Sequence, residues 1–314
     1  MIELREVVKS YGDRRIVDGV SLTVGRGDVC ALIGSSGSGK STTLKLINRL
    51  IDLSSGVIRV AGEDTRSVPV ETLRRRIGYV IQSIGLFPHW TVAENIATVP
   101  RLLKWPQART QDRVRELLDL VRLDGGAFAG KYPHELSGGQ QQRIGVARAL
   151  AADPDILLMD EPFGALDPVT RAALRDEFAH IHERTQKTIL FVTHDMDEAL
   201  ALADQVAIME QGRILQAGSP RDILHQPASD FVRALIGMSE LGLKRLAVER
   251  VEAHMRRGET AAGEPIAASA TLKEALSRMM ELRTDRLPVR APDGAAGTIH
   301  LTDIVERREG VERR

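Results

Sequence analysis

The 314-residue chain has a single cysteine, Cys30, which excludes an internal disulfide and any Cys-rich zinc ribbon or finger. Aromatic residues make up only 4% of it, too few for a platform on which single-stranded bases would stack. No stretch reaches the roughly 18 consecutive apolar residues that cross a bilayer, and the start, Met1 to Glu6, has no long apolar run and is not a signal peptide. An excess of one charge is also missing. The 43 Lys and Arg balance 43 Asp and Glu, a net charge of +0. That argues against nucleic acid as a partner and against direct attraction to an anionic membrane surface. The expectation is a soluble, reduced, cytoplasmic chain that serves a membrane only through a partner. What is present is ordinary for a globular protein. Hydrophobic residues are 43% and charged residues 27%, which excludes wholesale disorder, and the length suggests about two domains.

Ile2, Leu4 and the pair Val7 and Val8 alternate with polar residues, as do Val17, Val20, Leu22 and Val24 after Gly12-Asp13, which predicts antiparallel strands. Val29 to Ile33 is a short continuous apolar run. It stops at Gly34-Ser35-Ser36-Gly37-Ser38-Gly39, and a helix with Leu44, Ile47 and Leu50 on one face follows. Val114, Leu117, Leu118 and Val121 fall at i, i+3, i+4 and i+7, an amphipathic helix. Ile156 to Met159 and Ile189 to Val192 read as further buried strands. Such runs alternating with helices predict an α/β fold with a parallel sheet covered on both faces. Near Gly237 the character changes, giving expected domains of 1–237 and 238–314. Residues 258–264 read as a loop. Thr271 and Glu274 have capping-box spacing, opening a helix through Leu272, Ala275, Leu276, Met279 and Met280. Leu287-Pro288-Val289 and Thr298 to Leu301 read as two strands around a turn at Pro292-Asp293-Gly294.

Gly34-x4-Gly39-Lys40-Ser41 fits a P-loop. Its glycines let backbone N–H groups cradle phosphate oxygens, Lys40 reaches the β- and γ-phosphates, and the Ser41 hydroxyl can ligate Mg²⁺. Gly34, Ser35, Ser36, Gly37, Ser38, Gly39, Lys40, Ser41 and Thr42 are therefore the candidate nucleotide-binding run. The alternative is a Gly/Ser turn that happens to precede Lys-Ser; the strand before it and the helix after it speak against that. Asp160 and Glu161 follow a buried strand, where ligands bind in open α/β sheets. Asp160 can hold Mg²⁺ through water, and Glu161 can polarise an attacking water. Two solvated acids at a strand end are the bland alternative.

Further motifs go beyond a generic phosphate site. Leu136-Ser137-Gly138-Gly139-Gln140 resembles the signature sequence of ATP-binding-cassette (ABC) proteins. Gln82 matches their Q-loop, Ala165-Leu166-Asp167 their D-loop, His194 their switch histidine and Tyr11 their adenine-stacking aromatic. The resemblance spans residues 1 to about 237, in the family's order. It implies an ABC-type P-loop NTPase: a parallel core sheet, an antiparallel β subdomain, and a helical subdomain at about 86–150. It implies ATP and Mg²⁺ as cofactors, with Ser41, Gln82 and Asp160 at the metal and Glu161 and His194 catalytic. It also implies a sandwich of two copies, in which Ser137, Gly138, Gly139 and Gln140 meet the partner's ATP, and transmembrane permease subunits with an indirect link to a substrate-binding protein. The chain would then lie on the inner face of the membrane.

Gln82 to Ile96, containing Leu86-Phe87-Pro88-His89-Trp90, is similar to the osmoprotectant importers, which carry glycine betaine, choline and related quaternary amines. In the family this region lies near the groove for the membrane subunit. Leu86, Phe87 and Trp90 fit either such a contact or the core of the helical subdomain. Residues from about 246 to 310 resemble a single CBS module, through Leu287-Pro288-Val289 and Gly297-x-Ile299-x3-Asp303-Ile304. The tail departs from that pattern in being one module, where CBS modules work as pairs, and in having His300 where a nucleotide-contacting Ser or Thr is usual. A packing or dimerisation role therefore stands beside adenylate binding. Import of other small solutes, such as amino acids or sulfonates, and a non-transport ABC function are the alternatives.

Overall fold

In the computed structural model, residues 1–83, 85–164, 167–237, 241–290 and 296–305 are described. The alternation at the N-terminus builds β1 (Ile2–Tyr11) and β2 (Arg14–Val24), an antiparallel pair closed at Gly12-Asp13. Ile2, Leu4 and Val7 are all buried, although Val7 breaks the two-residue period. The register shifts between Leu4 and Val7, with Glu6 at φ +47°. This bulge carries the buried face from even to odd positions. β4 (Ser55–Val60) and β5 (Glu63–Asp64) complete a sheet of order β2-β1-β4-β5.

The continuous apolar runs form the second sheet. β3 (Val29–Ile33), β6 (Ile77–Val80), β7 (Ile156–Asp160), β8 (Thr188–Thr193), β9 (Gln205–Glu210) and β10 (Arg213–Gly218) lie in the order β10-β9-β3-β8-β7-β6. All neighbours are parallel except the edge strand β10. Every residue of β3, β7 and β8 is buried, as expected of strands covered on both faces. Cys30 lies within β3, and burial, with Asp28 nearby, pushes its thiol up to about 12, an inert core position.

α1 (Lys40–Ile47) follows the glycine-rich loop. The spacing predicted that Leu50 would extend its buried stripe; instead the helix ends at Ile47, Arg49 turns the chain at φ +46°, and Leu50 is exposed. α2 (Val70–Arg75) precedes β6. Between β6 and β7 come α3 (Val92–Ile96), α4 (Thr98–Leu102), α5 (Gln107–Leu120), α6 (Gly125–Phe128) and α7 (Gly138–Leu150). α8 (Pro168–Thr185) leads to β8, and α9 (Met196–Leu202) leads to β9.

The chain divides into compact units between Ser219 and Pro220. The change of character near Gly237 lies inside the second unit, after α10 (Pro220–His225) and α11 (Asp230–Ile236) and before α12 (Leu241–Val248). That unit holds a sheet of order β11-β14-β13-β12, formed by β11 (Arg256–Arg257), β12 (Ile266–Ala267), β13 (Arg286–Arg290) and β14 (Ala296–His300). α13 (Leu272–Leu282) opens with the expected Thr271/Glu274 capping box and buries Leu272, Ala275 and Met279 against Leu287, Val289 and Ile299. Met280 lies on this helix but is exposed. The last strand ends one residue earlier than predicted, because Leu301 begins α14 (Leu301–Val305). The predicted turn at Pro292-Asp293-Gly294 lies outside the described residues. Among the described residues, no helix is long and apolar enough to cross a membrane.

Candidate active site

β3 delivers the chain to Gly34 in the middle of the sheet. A Cβ on Gly34 would stand 1.9 Å from the Met209 carbonyl oxygen, and one on Gly39, at φ +105°, would stand 2.5 Å from that of Ile16. Backbone packs directly against both positions, so only glycine fits there. Lys40 is 6% exposed. Its Nζ donates to the carbonyl oxygens of Gly34 and Ser35, each at 2.8 Å, and to Ser38 Oγ at 3.4 Å. Burial lowers its pKa, while Glu161 and Asp160 pull it back up. Ser35, Ser36 and Gly37 are exposed, Ser38 and Gly39 are buried, and Ser41 and Thr42 are half-buried. The first amides of α1 face the same loop, where a helix terminus favours an anion.

The acids sit across from this loop. Ser41 Oγ donates to Asp160 Oδ1 at 2.7 Å, joining α1 to the carboxyl end of β7. Burial pushes the Asp160 carboxyl up, and the Ser41 hydrogen bond opposes it. Glu161 adopts φ +45°, a left-handed conformation rare outside glycine, and its N–H bonds the Val192 carbonyl at 3.0 Å. That turn sets its Oε2 3.1 Å from Gln82 Nε2 and 3.5 Å from His194 Nδ1. Gln82, Glu161 and His194 thus leave the carboxyl ends of the adjacent parallel strands β6, β7 and β8 and converge on one oxygen. The Ser41 hydroxyl and the Asp160 carboxylate, bonded to each other, are oxygen donors of the kind Mg²⁺ takes, and Gln82, whose Nε2 faces Glu161, carries a further amide oxygen that could join them.

Tyr11 ends β1 with its ring exposed and the Lys9 ammonium 4.7 Å from its centroid. Ser137 is the N-cap of α7. Its Oγ accepts from the Gln140 N–H at 3.3 Å, and Gln140 Oε1 accepts from the Ser137 N–H at 3.0 Å. Ser137 and Gly138 are exposed, whereas Gly139 is buried, a Cβ there standing 2.6 Å from Thr170 Cγ2. Asp167 Oδ1 accepts from the Thr170 N–H at 3.1 Å at the start of α8. Ala165 and Leu166 lie outside the described residues.

Phe87 and Trp90 do not lie in the core of the helical subdomain. Phe87 and Trp90 are exposed, their rings 4.6 Å apart, and Leu86 is half-buried; Ile84 lies outside the described residues. The residue that shapes this loop is Asn95, which no sequence motif marks. Fully buried, it donates to the carbonyls of Phe87, Trp90 and Thr91 and accepts from the Phe87 N–H. The Thr91/Glu94 capping box beside it was the available signal.

Residues 17–164 match the family model described as ABC transporter. Over 97% of this chain and 99% of its relative, the sequence is 54% identical to the glycine betaine uptake system ATP-binding protein YehX of Escherichia coli K12. The chain belongs to the ABC transporter ATP-binding family. It is 50% identical, over 92% of this chain and 75% of the relative, to the glycine betaine/carnitine/choline transport ATP-binding protein OpuCA of Bacillus subtilis 168. The fold matches the post-hydrolysis dimer of the ATP-binding cassette MJ0796 bound to ADP and Pi, with a TM-score of 0.62, 31% identity, and 70% of this chain and 99% of that one covered. A second structure, cbiO1 from Clostridium perfringens, matches with a TM-score of 0.67, 26% identity, and 78% and 97% coverage. The chain is an ABC-type ATP-hydrolysing cassette, and the expected core sheet, antiparallel subdomain and helical subdomain are those of its fold.

Proposed function

We propose that this cassette energises a membrane import complex for quaternary-amine osmoprotectants such as glycine betaine or choline. The observation that carries the reading is the 54% identity, end to end, with a glycine betaine uptake ATP-binding protein. Cargo does not touch the cassette, so the relatives bear on cargo only by likeness. A reconstituted complex assayed against quaternary amines, amino acids and sulfonates tests it. Uptake of quaternary amines supports the reading, and uptake confined to the other classes refutes it.

ATP lies over the Gly34–Thr42 run in this reading. Lys40 exchanges its bonds to the Gly34 and Ser35 carbonyls for β- and γ-phosphate oxygens. Mg²⁺, when bound by Ser41, Asp160 and Gln82, screens phosphate charge. Glu161 accepts the proton of the attacking water, His194 faces the same Glu161 oxygen from the next strand, and Tyr11 offers its exposed ring to the adenine. The exposed Ser137 and Gly138, at the start of a 13-residue helix, suit the γ-phosphate of a second copy's ATP. Asp167 lies in the segment preceding α8. The dimers among related cassette structures support this two-copy arrangement.

A cleft of about 390 Å³, lined by Arg74, Tyr79, Phe87, Thr98, Val99 and Arg148, adjoins the exposed Phe87-Trp90 pair. We assign it to the transmembrane permease subunits, which would hold the cassette on the inner face of the membrane. The cassette proper spans about 1–237 and a CBS-like module about 246–310. In that module, Asp303 pairs with Arg256 Nη2 at 2.8 Å and Nε at 3.0 Å, and His300 Nε2 lies 2.7 Å from Glu259 Oε1. These engagements favour a packing or dimerisation role over adenylate binding.

A further inference from the structure

One buried carboxylate near the site has no part in the chemistry above. Glu198, in the first turn of α9, is 3% exposed. Burial pushes its pKa up, and its hydrogen bond to Thr193 opposes that. A carboxylate so deep is costly unless hydrogen-bonded. Its Oε2 accepts from Thr193 Oγ1, and the same hydroxyl accepts the Asp195 N–H at 3.0 Å. The Thr193 hydroxyl therefore reaches across the peptide of His194, donating to α9 and accepting from the residue beyond. Asp195 Oδ1 caps α9 through the N–H groups of Asp197 and Glu198 at 2.8 and 3.3 Å. On the other side, Arg171 Nη1 lies 3.6 Å from Asp195 Oδ2, and its Nε lies 3.8 Å from Glu198 Oε1. Arg171 stands one turn after Asp167, on α8. The His194 ring is 60% exposed, so packing does little to fix it.

We propose that Thr193, Glu198 and Arg171 are positioning residues: a bracket that holds His194 against Glu161 and ties it to the helix that starts beyond Asp167. The inference rests on the reading of His194 and Glu161 as hydrolytic residues. Thr193, Glu198 and Arg171 lie outside the Gly34–Thr42 run assigned to the nucleotide, so loss of the bracket lowers kcat and leaves KM in place.

The test is ATP hydrolysis by the full chain carrying Thr193→Val, which deletes the hydroxyl at nearly constant size, beside Thr193→Ser, which keeps it. Thr193→Val should lose about tenfold in kcat, the scale of one hydrogen bond, with KM within about twofold, while Thr193→Ser stays within about threefold of the parent. Acting through His194, Thr193→Val adds no loss to His194→Ala in single-turnover assays with excess protein. A purely structural role predicts the opposite, a full further loss on that background, and this result overturns the inference, as does equal behaviour of the Val and Ser variants. Should Thr193→Val fail to fold, Arg171→Ala, whose side chain is 28% exposed, carries the same test: lower kcat, unchanged KM, no added loss on His194→Ala. Parent-level turnover by His194→Ala removes the hydrolytic reading and the bracket with it. A crippled His194→Ala beside a fully active Thr193→Val and Arg171→Ala removes the bracket alone.

Discussion

Replacing Glu161 by glutamine removes one negative charge and little else. The Glu161 Oε2 contacts are polar, 3.1 Å to Gln82 Nε2 and 3.5 Å to His194 Nδ1, and a glutamine oxygen turned toward Gln82 keeps the first of them. The side chain is 23% exposed, so the substitution should change stability by less than about 1 kcal/mol. Chemistry is affected far more. A positioned general base contributes about 10²–10⁴ in rate, or about 3–5 kcal/mol at about 1.36 kcal/mol per decade. Nucleotide contact comes from the Gly34–Thr42 run, so ATP affinity should survive, and the variant should accumulate as an ATP-bound dimer. The assays are phosphate release, calorimetry with ATP and size-exclusion chromatography with and without nucleotide. Hydrolysis within a few-fold of the parent would refute the assignment of Glu161 as base.

Lys40→Ala should weaken ATP binding at least about tenfold, since charge-assisted bonds of about 1.5–3 kcal/mol each are lost; unchanged affinity by calorimetry contradicts the phosphate site. Gly34→Ala should destabilise the fold by about 2 kcal/mol or more, because its Cβ meets the Met209 carbonyl at 1.9 Å, and thermal melting reads this directly. Ser137→Arg should stay folded, losing about 1 kcal/mol of helix capping, and stop turnover. A dimer of one Ser137→Arg and one Lys40→Ala chain keeps one chemically intact composite site if ATP is shared between chains, and none if each chain uses its own signature. Burial pushes the Asp303 carboxyl up, but Arg256 and the His300 N–H hold it below its usual range. With the folded pKa depressed, the pair stabilises the tail above the unfolded value of about 3.9 and loses this as pH falls through the folded value. Asp303→Asn should therefore melt earlier than the parent at neutral pH, by a margin that narrows as the pH falls below about 3.9.

The core sheet was legible because its signals are local. Val29–Ile33, Ile156–Met159 and Ile189–Val192 are unbroken apolar runs, and each is a buried strand. The glycines of the phosphate loop were equally plain. Other features depend on contacts distant in sequence. β6 has a weak sequence signal because Gly78 interrupts Ile77-Tyr79-Val80; a Cβ there would stand 2.5 Å from the Ala149 carbonyl, so the glycine lets α7 pack down on the strand. β9 contains the continuous apolar run Val206 to Met209, a local signal of the same kind as those of β3, β7 and β8. The boundary of α1 turned on the φ of Arg49, which composition does not encode. At the site, Glu161 is legible from its place at the end of a buried strand and Gln82 and His194 from motif resemblance, but their meeting at one carboxylate oxygen needs the left-handed turn at Glu161. The Thr193–Glu198 bond spans a strand-to-helix turn and has no periodic signature.

ATP-driven uptake of glycine betaine into vesicles holding the assembled complex tests the central claim most directly. The account predicts accumulation that requires ATP and disappears when Glu161→Gln replaces the parent cassette. Glycine betaine uptake that continues undiminished with Glu161→Gln would contradict it.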